Sequence, residues 1–308
     1  MFEGNSDGGT SRIEVFGNSE LDITLHNATG VAIGSLEGDG NVFLGDNKLT
    51  VGSNNLSTNF SGVMRNAFLG DHGSLTKVGS GTLVLSGANT YTGNTNVGAG
   101  VLQVDGSITS NTYVNAGGTL AGTGTVSRNV TDTTGGTVSP GHALGLLSVN
   151  GNYRQASYAT LLISIAGLST GQFSVLDVAG TANLVGAYDL LDPVLLNGFV
   201  PTIGESFTFL NYASLNGTFF ISDANIDNLN AHWEVTYQPT YAILTVALGN
   251  VPIVPLPDQG FNISAPDVGL ARLDGVSATV AAWAVLSVVR VIVERCFLAP
   301  HSTENAMP

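Results

Sequence analysis

Three groups of residues have types that could do chemistry. Ser139, His142 and Asp132 supply a hydroxyl, an imidazole and a carboxylate, the parts of an acyl-transfer triad. Asp223 and Asp227 stand four apart near His232, as paired acids for bond hydrolysis would. Glu37-Gly38-Asp39-Gly40-Asn41 has the flavour of a calcium loop. Each fails on spacing. No Gly-x-Ser-x-Gly elbow surrounds Ser139, as an exposed nucleophile would need. The stretch from Asp223 to Asp227 reads as a solvated turn, and residues 37–41 lack the spaced carboxylates and closing glutamate of an EF-hand, so they read as a plain turn. His26, His72 and His301 have no neighbours at metal spacing. The single cysteine, Cys296, excludes an internal disulfide and a cysteine-based zinc site. The sequence thus predicts no catalytic residue, no cofactor-binding residue and no metal ligand, and the expectation is a protein that is not an enzyme.

The elements that would position any site repeat. Gly81-Thr82-Leu83, Gly100-Val101-Leu102, Gly118-Thr119-Leu120 and Gly136-Thr137-Val138 bring back a glycine, a β-branched residue and a large aliphatic at a nearly constant interval. A fixed period of about twenty residues is that of a solenoid whose units each close one coil and stack on the last. The intervening residues are strand and turn formers without a helical apolar stripe, which predicts β coils. The fold class expected is therefore all-β, a right-handed parallel β-helix with a C-terminal β cap and a short apolar tail of helical character. Leu83, Leu102 and Leu120 should share one interior column. Leu83 and Leu85 should face the same side within a coil, as should Leu102 and Val104. Tyr91 and Asn89 are expected in a turn, as a stacked outer aromatic or an asparagine ladder rather than a binding site.

Four segments follow from this reading. Residues 1–74 are irregular coils, 75–155 the regular repeat, 156–250 C-terminal coils and cap, and 251–308 a linker and tail. In the third segment the period is lost, but the β character persists, and bulky aromatics such as Trp233 suggest a capped, better-packed end. A bare first coil would expose an unpaired strand edge, which is an expectation of missing upstream sequence.

Forty glycines and only 10% charged residues would suit disorder, but 43% hydrophobic residues supply the apolar surface that ordering requires. The net charge is −14 with nine basic residues scattered along the chain, which argues against nucleic-acid binding.

The stretch from Leu75 to Gly93, continuing through Thr95-Asn96-Val97 to Gly100-Val101-Leu102-Gln103-Val104, resembles the autotransporter-associated β-strand repeat. Val138-Ser139-Pro140-Gly141 with Leu147 to Tyr153, and later Gly204-Glu205-Ser206-Phe207 with Trp233 to Tyr237, resemble the following coils of autotransporter passengers, although His142 replaces the usual asparagine. After Leu248 no pattern of membrane barrel strands is seen, so the expectation is a passenger without a translocator. Pro257-Asp258-Gln259-Gly260 resembles the opening of PEP-CTERM and VPDSG-CTERM sorting signals. The apolar run from Val276 to Val289 and the basic Arg290 and Arg295 continue that likeness, although the run is shorter than the about 20 residues that span a membrane. The resemblance implies an exported, adhesin-like surface protein with an unidentified surface ligand. It would touch the membrane only through its tail. The competing expectation is a fragment of a carbohydrate-active β-helix enzyme whose catalytic residues lie outside the chain.

Overall fold

The computed structural model describes residues 2–249 apart from 28–29, 187, 223–225 and 227–229. The proline-rich linker, the apolar tail and Cys296 therefore lie outside the described residues, as do Asp223, Asp227 and His301. Within unit 1, Met1–Ile253, the described secondary structure is strand apart from one short 3-10 turn, Gly141–Ala143. The strands wind into a parallel β-helix with three faces.

The first face is a ten-stranded parallel sheet that runs from Arg12–Val15 to Phe220–Ile221 and gains one strand per coil. The predicted column is its inner row. Leu83 pairs with Leu102, Leu102 with Leu120 and Leu120 with Val138. The row then continues through Leu161 and Leu191 to Ile221. From Leu83 to Leu191 these side chains are buried, and each contributes about 1.5–3 kcal/mol of apolar burial. The recurring glycine also has a physical cause. It stands at the corner that enters the first face. A Cβ there would lie 2.3 Å from the Leu56 carbonyl oxygen at Gly81, 2.4 Å from that of Gly79 at Gly100, and 2.3 Å from that of Val97 at Gly118. No real side chain tolerates such a contact, so the coil spacing itself demands glycine.

The second face begins as three strands, Glu20–Asp22, Asn41–Phe43 and Val63–Arg65. It resumes at Ala88–Asn89, and the break between them is spanned by a side chain. The Asn89 amide oxygen accepts from the Met64 backbone N–H at 2.9 Å, while its nitrogen donates to the carbonyls of Gly87 and Ser107. Asn89 is wholly buried and bonds backbone groups rather than other asparagines, so the expected asparagine ladder is corrected. Tyr91 is corrected likewise. Its ring is in the core, and its hydroxyl lies 2.6 Å from Thr95 Oγ1, which in turn lies 2.7 Å from Ser110 Oγ. A phenol can enter an apolar core when its hydroxyl finds such partners.

In residues 156–249 the stack continues in register although the sequence period is lost. Leu161, Leu191 and Ile221 still pair in one row, but the coils between them are wider and use more chain than those between Leu83 and Val138. Strand Ser174–Leu184 runs unbroken through the corner between the second and third faces and fuses them into one sheet, and Ser206–Asn216 lies parallel on top of it. Tyr241–Leu248 then pairs antiparallel with both Ser206–Asn216 and Ala231–Tyr237. Phe207 sits at the centre of this end, edge-on to Phe173, Phe199 and Trp233.

The first coil is not bare on every face. The Phe2 N–H donates to the Asp22 carbonyl and the Gly8 N–H to the Ala32 carbonyl, so residues 2–11 cover its second and third faces. On the first face Arg12–Val15 is the terminal strand.

Candidate functional site

The structure separates the residues that could have formed a triad. Ser139 lies on the outward side of Thr137–Pro140, whose inner positions are Val138 and Pro140. His142 sits in the exposed 3-10 turn with φ +52°. Asp132 points the other way, into the core, with none of its surface exposed. A sheet therefore stands between the carboxylate and the hydroxyl. His232 is buried in the C-terminal hairpin, with Nδ1 3.0 Å from the Gly249 carbonyl oxygen and Nε2 3.0 Å from Glu234 Oε1. Residues 37–41 form the corner between the first two faces. There Glu37 pairs with Arg12, and Asp39 accepts from the Gly17 N–H at 2.6 Å. His26 contacts the backbone oxygens of Ser6 and Asn27 through its two ring nitrogens. His72 lies 3.3 Å from Thr92 Oγ1.

Two outer features gather polar or aromatic groups at the surface. A shallow groove of ≈ 230 Å³ crosses the first coils, lined by Glu20, Asp22, Thr24, Phe43, Ala67 and Phe68. Phe68 is 72% exposed and stands on a loop fixed by Asp71, whose carboxylate accepts from the Ala67 and Phe68 N–H groups. Arg65 covers the Phe43 ring at 4.4 Å, a cation–π contact. Asp22 is oriented by the N–H and hydroxyl of Thr24. Carboxylates beside ring faces can hold a ligand that carries both hydroxyls and an apolar face. The second feature is an aromatic stack on the corner between the third and first faces. Tyr158 and Tyr188 stack with centroids 5.2 Å apart, and Phe220 meets Tyr188 edge-on.

The interior holds ionisable groups that the sequence reading does not predict. One inner column at the end of the third face runs Val51, Lys77, Val97, Val114, Asp132, Gln155 and Leu184. The Lys77 ammonium donates to the carbonyls of Val78, Gly79 and Ala99, so all three of its donors are used. Burial lowers it to about 8. Asp132 has no such help, because neither carboxylate oxygen has a partner among the described residues. Burial, with the nearby Asp189 adding to it, pushes it up to about 8. The available signal was strand parity. Leu75 and Val130 are inward, and the period of two carries Lys77 and Asp132 to the same side.

Comparison with known proteins agrees with this architecture. A family model described as Passenger-associated-transport-repeat matches residues 75–104. Over 78 residues, 25% of this chain and 7% of the relative, the chain is 51% identical to an extracellular serine protease of Serratia marcescens. Over 101 residues, 32% of this chain and 3% of the relative, it is 41% identical to the Adhesin BmaC autotransporter of Brucella suis biovar 1 (strain 1330). The chain thus spans less than a tenth of the length of either of these curated relatives. Residues 75–104, which open the regular coils of this parallel β-helix, match the passenger-associated transport repeat.

Proposed function

We propose that this chain is an exported, non-catalytic surface protein whose stacked coils present binding surface outside the cell. The observation that carries the reading is the passenger repeat built into a continuous parallel β-helix, with an adhesin autotransporter among its relatives. Surface labelling and protease shaving of intact cells test it. Accessibility to both reagents is the expected result, and recovery of the protein only from the cytosolic fraction would overturn it.

Within that reading the groove at Glu20, Asp22, Phe43 and Phe68 is the contact point for a saccharide, since sugar rings offer hydroxyls to carboxylates and C–H faces to aromatic rings. Phe68 is exposed, so Phe68→Ala should leave stability unchanged and weaken binding to purified surface polysaccharide. Unaltered binding would place the contact elsewhere. The tail beyond residue 250 serves as a processed anchor signal, and outer-membrane association runs through it. Mapping the mature C-terminus by mass spectrometry checks this, because processing predicts loss of everything after about Gln259 from the surface fraction. An intact Pro308 there would refute processing.

The enzyme reading draws on the Serratia relative, which is described as a serine protease. Because the sheet separates Asp132 from Ser139, that reading places the catalytic residues outside this chain.

A further inference from the structure

The corner that joins the regular coils to the widened ones contains two buried carboxyls that came from opposite ends of a long stretch of sequence. Asp132 closes the third face of one coil, and Asp189 stands at the equivalent corner farther along, where Asp189 is 1% exposed. Asp132 Oδ1 occupies the space that a side chain at Gly136 would need, since a Cβ there would lie 2.2 Å away. Asp189 accepts one hydrogen bond, from the Gly186 N–H at 2.8 Å, and its other oxygen has no partner among the described residues. Gln155 lies between them in the stack but is fully committed. Its Oε1 accepts from the Tyr153 hydroxyl, and its nitrogen donates to the carbonyls of Ala159 and Leu190. Three buried carboxyl oxygens are therefore left without donors among the described residues.

The other ionisable groups at this corner give little relief. Tyr153 is buried beside the pair and is itself pushed up by burial and by both aspartates. Tyr113 and Arg154 occupy the outward positions of the neighbouring strands, from where Arg154 eases Asp189 only. Lys77 shares the inner column with Asp132 but lies three coils away, about 14 Å at the usual strand spacing. An ionised carboxylate at Asp132 would be dry and unpaired, a costly arrangement in a core, and Asp189, two coils farther on at the same corner, adds to that cost. A protonated carboxyl removes the charge and gains a donor.

We propose that the buried carboxyls of Asp132 and Asp189 make this junction an acid-set latch: the regular coils stay packed on the widened C-terminal coils while the carboxyls are protonated, and the junction loosens when they ionise. The direction follows from linkage. Asp132 holds its proton to about 8 in the folded chain, against an ordinary value of 3.8, so the folded state carries the extra proton between those values. Stability is then greatest in acid, falls as pH rises through that window, and levels off above about 8. A chain working outside the cell would meet such changes in acidity directly.

Amide hydrogen exchange on the full chain tests this, with residues 35–85 as an internal reference for residues 118–189. Between about pH 5.5 and about pH 8.5, after correction for intrinsic rates, protection at 118–189 should fall at least about tenfold more than in the reference. Asp132→Asn should abolish the difference and keep the segment protected at both values. An equal change in the two segments, or a difference that persists in Asp132→Asn, would overturn the latch. Infrared spectroscopy of the unmodified chain gives a readout independent of the variant. A neutral carboxyl band should be present near neutral pH and disappear on alkaline titration, and its absence would equally refute the proposal.

Discussion

The regular coils between residues 75 and 138 and the widened coils between 160 and 249 are built from the same three faces but are stabilised differently. The regular coils use short strands, one aliphatic per inner row, and a glycine at each entry corner. The widened coils use long strands such as Ser174–Leu184 and Ser206–Asn216, the first of them continuous through a corner, and gather aromatics around Phe207. In the regular part each residue is supported by its equivalents above and below, so stability is a sum of nearly identical interfaces. In the widened part a few large side chains and an antiparallel hairpin carry the stability. A repeat can be extended without limit, but an end must be closed, and closing it takes non-repeating structure.

The comparison is broken most severely by Leu102→Asp. It puts an unpaired carboxylate between Leu83 and Leu120 and should cost about 4 kcal/mol or more, seen as protease cleavage within 82–122. Resistance equal to that of the parent would mean that the inner row does not depend on each member. Trp233→Ala comes next, at about 3–5 kcal/mol, because it empties one side of the Phe207 cluster. If the two regions are separate cooperative units, thermal unfolding should then split, with hydrogen exchange rising in 206–248 before it rises in 82–122. One shared transition would show that the hairpin stabilises the whole stack. Lys77→Met should cost about 2 kcal/mol in denaturant unfolding, since three carbonyls lose their donor while the alkyl volume is kept. A stabilising result would mean that desolvation of the ammonium outweighs its hydrogen bonds. The smallest effect belongs to Tyr158→Gly. Relief of a positive φ of 63° offsets the lost stack on Tyr188, so stability should stay within about 0.5 kcal/mol. A larger loss would make the outer aromatics a structural spine of the widened coils.

The repeat announced the first face, and the pairing of Leu83, Leu102 and Leu120 was readable without coordinates. The widened coils hid their register, because added chain lengthens the interval from Leu161 to Leu191 well beyond that from Leu102 to Leu120 while the inner row stays aligned. The outer place expected of Tyr91 and the ladder expected of Asn89 fail for a related reason. Both are polar residues near turns, and the networks that let them sit inside, from Tyr91 through Thr95 to Ser110 and from Asn89 to Met64 and Ser107, are completed by neighbouring coils. The groove was illegible, since Glu20, Phe43 and Phe68 belong to three different coils.

Sequence by itself determined what depends on the local backbone: strand alternation, the glycine at each corner, and the period at which coils stack. Tertiary structure alone decided what depends on which coil lies over which. It set Lys77 among three carbonyls and left Asp132 in the same column without a donor among the described residues. It also brought Asp189 to that corner from far along the chain. The physical reason is that a side chain's direction is fixed by its own strand, whereas its partners and its solvation are fixed by the layers stacked on either side.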